Sequence, residues 1–221
     1  MPLDSDLVET SSAKRAIDVT GSLLALVLLA PVFALVAALV QIGSSGPILF
    51  IQERTGRYGK PFRVFKFRTM TPSDTIAINK EATADDPRIT RVGRMLRRTG
   101  LDELPQLVNV LRGEMSLIGP RPLLAWENQL CDERQSRRLL VRPGITGLSQ
   151  INGRNAIPWA DRIEWDVRYV DGPSLGLDAR ILLRTIPTAL FGCNAYAPAP
   201  SGYSRPSADM GGTSAPGIAG C

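Results

Sequence analysis

A long, unbroken apolar run in the first fifth of the sequence limits the possible folds of this chain more than any other segment. All eighteen residues from Leu23 to Val40 are apolar. As a straight helix the run would extend about 27 Å, at ~1.5 Å per residue, close to the ~30 Å hydrocarbon core of a bilayer. It is longer than a buried core helix usually needs, and longer and later than the apolar part of a signal peptide. The run predicts a membrane-inserted segment, with a buried core helix as the alternative.

Pro31 lies near the middle of this run. Inside a helix, proline removes one hydrogen bond and clashes with the preceding turn, so it kinks or breaks the helix. Each half is then too short to cross a bilayer alone. Basic residues flank both sides of the run: Lys14 and Arg15 before it, then Arg54, Arg57 and Lys60 after it. Because the flanks lack the charge asymmetry of a spanning helix, we expect a re-entrant helix-break-helix with both ends on the cytoplasmic side.

Two features of the composition limit the chemistry. The chain has no histidine, so it contains no histidine base, histidine-containing triad or histidine-ligated metal site. Its three cysteines, Cys131, Cys193 and Cys221, are widely spaced and form no CxxC pair, which is typical of a reducing compartment. Acid–base or nucleophilic chemistry must come from Asp, Glu, Lys, Tyr, Ser or Cys.

The remaining sequence predicts a predominantly helical α+β fold. Two runs rich in β-formers, residues 48–53 and 62–68, flank a Gly-bearing loop and predict a small β-hairpin. Apolar spacing predicts helices over residues 90–98, 102–111, 124–140, 160–170 and 178–190. Residues 142–155 read as a long loop. The last helix is basic and amphipathic, which suits either a membrane interface or packing on the core as an ordinary surface helix.

These patterns divide the chain into four parts. We expect a flexible N-terminus over residues 1–13 and the re-entrant segment over residues 14–43. A compact cytosolic domain would cover residues 44–192. Residues 193–221 are rich in Pro, Gly, Ser and Ala, a composition that predicts a disordered tail.

An acidic pair, Asp102-Glu103, lies in the most basic part of the chain, at the start of a predicted helix. Nine arginines surround it in sequence or follow it in predicted turns: Arg88, Arg91, Arg94, Arg97, Arg98, Arg112, Arg121, Arg142 and Arg154. Arginine binds phosphate oxygens with a planar fork, and free N–H groups at a helix N-terminus also favour anions. A carboxylate among cations stays ionised, so it can act as a nucleophile or metal ligand. Taken alone, Asp102 is also explained as a helix cap, and the arginines also suit nucleic acid or anionic lipid.

Six segments follow one another in an order typical of a known family. They are residues 66–70 (Lys-Phe-Arg-Thr-Met), 85–94 (Asp-Asp-Pro-Arg-Ile-Thr-Arg-Val-Gly-Arg), 101–107 (Leu-Asp-Glu-Leu-Pro-Gln-Leu), 113–122 (Gly-Glu-Met-Ser-Leu-Ile-Gly-Pro-Arg-Pro), 142–147 (Arg-Pro-Gly-Ile-Thr-Gly) and 152–155 (Asn-Gly-Arg-Asn). Together they resemble the signatures of the bacterial sugar transferases, the monotopic phosphoglycosyl transferases. The resemblance covers about residues 14–190 and is to the short form, which has the catalytic unit without the extra N-terminal transmembrane helices of longer relatives.

The resemblance implies a specific reaction. Such enzymes transfer a phosphosugar from a nucleotide-diphosphate sugar, usually UDP-linked, to a polyprenol phosphate such as undecaprenyl phosphate, giving a polyprenol-diphosphate sugar and UMP. This is the first membrane step of glycoconjugate or polysaccharide biosynthesis, on the cytosolic face of the bacterial inner membrane. The family's Asp-Glu dyad maps onto Asp102 and Glu103. Asp102 would attack the sugar-bearing phosphorus and form an acyl-phosphate, both carboxylates would hold Mg²⁺, and Glu103 would help to position the reacting groups.

Five further residues are candidates for substrate binding. Arg97, Arg121, Arg142 and Arg154 would contact the diphosphate or nucleotide, and Asp166 comes from a family-like segment. We expect UDP-sugar, polyprenol phosphate and membrane lipid as partners and no nucleic acid. We leave the oligomeric state open, with a homo-oligomer as one alternative, because exposed apolar surface suits either lipid or a protein partner.

Two residues depart from the family pattern. Ala30 precedes Pro31 where a serine is frequent, and Leu148 stands where an aromatic residue is common. The first removes a hydroxyl that could bond a freed carbonyl at the bend, and the second removes a local stacking group.

A non-enzymatic, membrane-anchored binder of anionic lipid or nucleic acid is the alternative function. Such a binder would tolerate Asp102→Asn, whereas the enzyme would not.

Overall fold

The computed structural model describes residues 11–71, 86–153 and 157–190, which are predominantly helical, as predicted. The predictions for residues 1–10, for Arg154 and for the tail lie outside these ranges. The helices are α1 (Ser12–Leu28), α2 (Ala30–Gly43), α3 (Arg91–Thr99), α4 (Gln106–Leu111), α5 (Ala125–Asn128), α6 (Glu133–Ser136), α7 (Leu148–Ile151), α8 (Trp159–Asp171) and α9 (Leu175–Leu190). The strands are β1 (Leu49–Thr55), β2 (Pro61–Phe67), β3 (Ser116–Ile118) and β4 (Gly144–Thr146).

The apolar run forms two helices that meet at an angle. α1 and α2 are bent by 63° at Leu29. Across the described part of the chain, no single helix has both the length and the apolarity to cross a membrane, whereas this bent pair has them jointly. Pro31 lies in the first turn of α2, where its missing N–H would have no intrahelical partner. Proline therefore starts the second helix instead of kinking a continuous one.

The polarity of α1 is the reverse of that of a soluble amphipathic helix. Lys14, Asp18 and Ser22 follow one another at helical spacing and are each at most 5% exposed. In contrast, Leu24 is 60% exposed and Val27 is 65% exposed. A helix on a water-soluble domain normally turns its apolar stripe inward. α1 thus turns polar groups toward the protein and apolar side chains outward.

The buried lysine of α1 joins this helix to α9. Lys14 Nζ donates to Asp178 Oδ2 at 2.7 Å and to the Ile118 carbonyl oxygen at 3.2 Å. Asp178 Oδ1 accepts a 2.8 Å hydrogen bond from the Tyr169 hydroxyl. Both oxygens of the Asp178 carboxylate are therefore engaged.

Two further polar side chains of α1 reach the body of the protein. Asp18 Oδ1 lies 3.1 Å from both the Ser116 hydroxyl and the Leu117 backbone nitrogen. Arg15 donates to the Val110 carbonyl oxygen at 2.8 Å, near the end of α4, where carbonyls lack intrahelical partners. We call the group that fixes α1 to the rest of the fold the docking cluster; its members are Lys14, Asp18, Ser116, Tyr169 and Asp178.

The predicted β-hairpin is confirmed. β1 and β2 pair antiparallel, with Leu49 opposite Phe67 at one end and Thr55 opposite Pro61 at the other. The second edge of β2 is covered by the side chain of Asn109 from α4. Its Oδ1 accepts from the Phe65 nitrogen at 3.2 Å and its Nδ2 donates to the Arg63 carbonyl oxygen at 2.7 Å. The amide replaces part of a third strand and fixes α4 against β2.

α3 lies unusually close to the chain that follows β2. Its N-cap residue Thr90 accepts from the Gly93 nitrogen at 2.8 Å, and Gly100 ends the helix with a φ of 72°, as predicted. A Cβ atom at Gly93 would lie 2.0 Å from the Thr69 carbonyl oxygen, far inside van der Waals contact. Only glycine permits this approach.

Three predicted elements differ from the structure. The helix expected over residues 102–111 begins at Gln106, after a 3₁₀ turn over Leu101–Glu103, so the acidic pair precedes the α-helix. The helix expected over residues 124–140 is divided into α5, α6 and a 3₁₀ turn, because Asp132 caps a new helix by accepting from the Gln135 nitrogen at 2.7 Å. The loop expected over residues 142–155 contains β4, which pairs parallel with β3, and α7.

The last helix packs through a narrower face than its apolar pattern predicts. Ile181 is fully buried against a cluster that includes Ile118 and Tyr169. Leu182 and Ile186, which belong to the same apolar pattern, are 47% and 53% exposed. α9 therefore packs on the core through Ile181 and also presents apolar side chains outward, so the interfacial location of this helix stays a prediction.

Candidate active site

The acidic pair lies in the short 3₁₀ turn between α3 and α4. Gly100, in a left-handed conformation with a φ of 72°, ends α3 and begins the turn. On one side of the pair, Leu101 packs against the apolar cluster that α2, β2 and α3 share. On the other side, Pro105 leads directly into α4. We call residues 101–103 the catalytic turn.

Glu103 is held by two cations. Its Oε1 accepts from Lys66 Nζ at 2.7 Å and from an Arg121 guanidinium nitrogen at 3.1 Å. The Glu103 side chain is 13% exposed. Burial by itself raises the pKa of Glu103, but the charges and hydrogen bonds of Arg121 and Lys66 outweigh it and hold this pKa well below its usual range. Glu103 is therefore a fixed, ionised carboxylate.

Asp102, its neighbour, has no such partners. Among the described residues, its carboxylate accepts no hydrogen bond and forms no salt bridge. Burial and then the like charge of Glu103 raise the pKa of Asp102 to about 6, although Lys66, Arg97 and Arg121 act in the opposite direction. At neutral pH the group is mostly ionised and its oxygens are free. A nucleophile or a metal ligand requires both properties.

Lys66 is a residue of the site that was not among the sequence candidates. Burial lowers its pKa, with Arg121 adding to the effect and Glu103 opposing it. The signal for Lys66 was present in the strand pattern, because side chains two apart in a strand share a face. Lys66 therefore shares a face of β2 with Phe62 and Val64, which are both buried. In the sequence, residues 66–70 entered only as one of the segments that carry the family resemblance.

Arg97 approaches the dyad from the last turn of α3. Its Nε donates to the Thr69 hydroxyl at 2.9 Å. Its two terminal guanidinium nitrogens have no protein partner within the ranges that the structure describes. The charge of Arg97 lowers the pKa of Asp102, so this arginine and the unbonded carboxylate are electrostatic neighbours. Arg97 thus presents an open fork that suits phosphate oxygens.

Arg121 also reaches the dyad, and a buried layer supports it. The Arg121 carbonyl oxygen accepts a hydrogen bond from Arg138. Arg138 pairs with Asp166 Oδ2 at 2.8 Å, and Asp166 Oδ1 accepts from the Ser149 hydroxyl at 2.9 Å. Asp166 is 2% exposed. Both oxygens of Asp166 bind residues of this layer, so the residue helps to hold the segment that carries Arg121, and its predicted contact with substrate stays a prediction.

Of the two remaining arginine candidates, one binds a backbone carbonyl away from the dyad and the other lies outside the described residues. Arg142 donates its Nε to the Gly113 carbonyl oxygen at 2.9 Å, just beyond the end of α4, whereas the catalytic turn precedes the start of that helix. The prediction for Arg142 assumed that a Pro-flanked arginine points into a site, and here it binds a backbone carbonyl. Arg154 lies outside the described residues, so its predicted role stays a prediction.

The dyad offers oxygen donors, which suit a hard cation such as Mg²⁺. No group of three or more His, Cys, Asp or Glu side chains that could hold a metal occurs in the described ranges. The available donors are the Asp102 carboxylate and the second oxygen of Glu103. Magnesium binds through one or two carboxylates together with phosphates and water, and needs no full protein cage. The donor set therefore fits Mg²⁺ in the presence of a diphosphate.

Comparisons with known proteins agree with these features. A family model described as bacterial sugar transferase matches residues 9–192. The chain is 46% identical over 173 residues to an uncharacterized sugar transferase, EpsL, of Bacillus subtilis, and the match covers 78% of this chain and 85% of that protein. It is 40% identical over 199 residues to the exopolysaccharide production protein ExoY of Rhizobium meliloti, covering 83% and 88%. A UDP-glucose:undecaprenyl-phosphate glucose-1-phosphate transferase of Escherichia coli is 41% identical over 186 residues, covering 78% of this chain and 39% of that protein.

Proposed function

The chain belongs to the bacterial sugar transferase family, and we propose that it transfers a phosphosugar from a UDP-sugar to a polyprenol phosphate such as undecaprenyl phosphate. One observation carries this proposal: an unbonded carboxylate, Asp102, stands beside a carboxylate, Glu103, that two cations hold in place. Relatives named for this chemistry use UDP-glucose and undecaprenyl phosphate. The family consists of enzymes, so the non-enzymatic binder is not retained.

In the first step, an oxygen of Asp102 attacks the phosphorus that bears the sugar. The bond between this phosphorus and the oxygen bridging to UMP breaks, and UMP leaves with the electron pair. An aspartyl phosphosugar remains on the enzyme. The ionised state and free oxygens of Asp102 support this role, since a nucleophile held in hydrogen bonds is less reactive.

In the second step, a phosphate oxygen of the polyprenol phosphate attacks the same phosphorus. The bond to Asp102 breaks, which frees the carboxylate and gives the polyprenol-diphosphate sugar. Direct reaction between the two substrates would bring two anions together. The covalent relay separates the donor from the acceptor in time, and the cations Lys66, Arg97 and Arg121 stabilise the charge of each in turn.

Asp102 and Glu103 are also the residues that would hold Mg²⁺. When bound, the ion supplies charge neutralisation at the diphosphate. Glu103 contributes an oriented oxygen, because Lys66 and Arg121 fix its other oxygen at 2.7 and 3.1 Å. Arg97 contributes the open guanidinium fork described above, which we assign to phosphate oxygens.

The reversed polarity of α1 supports a location at the bacterial inner membrane. We propose that the bent pair enters one leaflet and returns, with the catalytic turn on the cytosolic face. A cysteine-labelling tag at the N-terminus tests this topology. Labelling from inside alone is expected, and labelling of intact cells from outside would contradict the re-entrant arrangement.

The reaction itself is tested by UMP release. Purified enzyme is incubated with undecaprenyl phosphate and each member of a UDP-sugar panel, with and without Mg²⁺. We expect at least one sugar to give UMP in a magnesium-dependent reaction. Without acceptor, mass spectrometry should find a phosphosugar adduct on the peptide that contains Asp102. If no UDP-sugar is consumed and no adduct forms, the proposed function is wrong.

A further inference from the structure

An apolar groove of about 650 Å³ lies between α2 and the first strand of the hairpin. Ala34 and Ala37 of α2 contribute to one wall, and Leu49 and Ile51 of β1 contribute to the other. Phe67 of β2 lies at the bottom of the groove, where it is 3% exposed. All eight side chains that line the groove are apolar.

The groove adjoins the catalytic turn through two separate segments of chain. In β2, Phe67 lines the groove and the residue before it, Lys66, binds Glu103 at 2.7 Å. After α3, Leu101 packs on the cluster that contains Phe67, and the next residue is Asp102. Two independent connections, each one residue long, therefore link the apolar groove to the polar site.

The walls of the groove are open to the surroundings. Leu49 is 39% exposed and Ile51 is 52% exposed. An open apolar surface of this kind is unfavourable in water and marks a site that an apolar partner covers. On α2 itself, Leu35 is 60% exposed and Ile42 is 84% exposed, so the groove opens beside outward-facing apolar side chains, where lipid is the expected neighbour.

Given the proposed function, on which this inference rests, we propose that the groove binds the isoprenoid chain of the polyprenol phosphate acceptor. The acceptor carries a phosphate at one end of a long apolar chain, and the protein places a cationic site beside an apolar groove. The first isoprene units would lie along α2 and β1 while the phosphate reaches Arg97 and the dyad. Contacts to a remote part of a substrate can position its reacting end.

The test compares two tryptophan substitutions on the same helix. Ala34→Trp fills the groove, whereas Ala38→Trp adds the same side chain at an exposed alanine that does not line it. Each variant is assayed with undecaprenyl phosphate and with a ten-carbon isoprenyl phosphate that is too short to occupy much of the groove. Since each buried methylene contributes to binding, we expect Ala34→Trp to raise KM for undecaprenyl phosphate about tenfold relative to the short acceptor. KM for the UDP-sugar should not change.

A second groove substitution, on the opposite wall, controls for a folding defect in the Ala34→Trp variant. Ile51→Trp fills the groove from β1 and should give the same dependence on acceptor length, while thermal unfolding reports whether each variant is folded. If the wild-type enzyme consumes no UDP-sugar with either acceptor, the proposed function fails. If the wild type is active but groove and control variants respond alike, or the groove variants lose both acceptors equally, the groove does not bind the chain.

Discussion

The catalytic turn and the docking cluster both bury acids beside cations, but they differ in how completely those acids are paired. In the docking cluster, both oxygens of Asp178 are engaged, by Lys14 at 2.7 Å and by Tyr169 at 2.8 Å. In the catalytic turn, Lys66 and Arg121 both bind one oxygen of Glu103, whereas Asp102, one residue away, has no hydrogen-bonding partner among the described residues. Fully satisfied buried polar groups fix a structure, and a group left unsatisfied among cations is available for chemistry.

This difference predicts two kinds of failure. Removing one partner of a satisfied buried pair leaves an uncompensated charge and destabilises the fold. Removing a group that has no partner breaks no contact in the resting protein, so its loss should appear in activity alone. Substitutions in the two regions should therefore separate stability from function.

The largest effect is expected for Asp102→Asn. The amide cannot act as the nucleophile, so transfer should fall by about 10³-fold or more. The midpoint of thermal unfolding should change little, because no hydrogen bond to the carboxylate is lost. Both are measured on the purified variant, by UMP release and by a thermal melt. Asp161→Asn, at an exposed position of α8, is the control and should retain activity. An active Asp102→Asn enzyme would contradict the role of this residue.

The next effect is expected for Lys14→Met. It removes the cation from Asp178 in a pair whose side chains are 7% and 11% exposed, so the free energy of unfolding should fall by about 3–5 kcal/mol. Denaturant unfolding in detergent measures the loss. The double variant Lys14→Met with Asp178→Leu removes both charges and should recover much of the stability. If the double variant is as unstable as the sum of its single variants, the two residues are not energetically coupled.

The electrostatics of the dyad predict a pH dependence for transfer. With a pKa of Asp102 at about 6, the nucleophile is protonated below that value, so kcat/KM should decrease about tenfold per pH unit on the acid side. Lys66→Met removes a charge that lowers this pKa, so the acid limb should move to higher pH and activity at pH 7 should fall about 10- to 100-fold.

A second variant should shift the acid limb of the pH profile in the direction opposite to that of Lys66→Met. Glu103→Gln removes the like charge that raises the pKa of Asp102, so its acid limb should move to lower pH even though activity is reduced. The pH profile of kcat/KM is recorded for all three enzymes. Identical limbs in the wild type and both variants would show that a different group controls the acid side.

The smallest effect is expected for Ser116→Ala in the docking cluster. The Ser116 hydroxyl is fully buried and lies 3.1 Å from Asp18 Oδ1, so its loss should cost about 1–2 kcal/mol of unfolding free energy. Transfer per folded molecule should be unchanged. The matched control is Thr20→Ala, which removes a hydroxyl on an exposed part of α1 and should cost nothing measurable. Equal losses in the two variants would contradict the distinction.

Local patterns predicted much of this fold. The break near Pro31, the hairpin, α3 with its Gly100 end, and α8 all depend on residues close together in sequence, and all are present. The parallel pairing of β3 with β4 was missed, because it joins segments 28 residues apart, as between Ser116 and Gly144, and leaves no local periodicity. The division of the helix expected over residues 124–140 was missed because the apolar spacing there is weak. Asp132 and Gln135 form a capping box that begins a new helix at Glu133.

The candidate site was predicted more unevenly. The dyad was predicted through family resemblance and the density of arginines, and the structure gathers Arg97 and Arg121 beside it. Composition does not reveal which of several arginines will donate to a backbone carbonyl, as Arg142 does to Gly113, and the substrate role of Arg142 stays a prediction. Lys66 was underestimated for a related reason: its role depends on Glu103, 37 residues later, and only tertiary packing brings the two together.

The close approach of α3 to Thr69 has a consequence for how this site can vary among related or redesigned sequences. Gly93 precedes Arg97 by four residues, so the two lie on one face of the helix, and both face Thr69: the glycine lets the helix reach its backbone, and the arginine then binds its hydroxyl at 2.9 Å. Any larger residue at position 93 would move the helix outward and carry the guanidinium away from Asp102. A residue without a side chain thus aims one of the cations of the site, and variation at position 93 should follow variation at position 97.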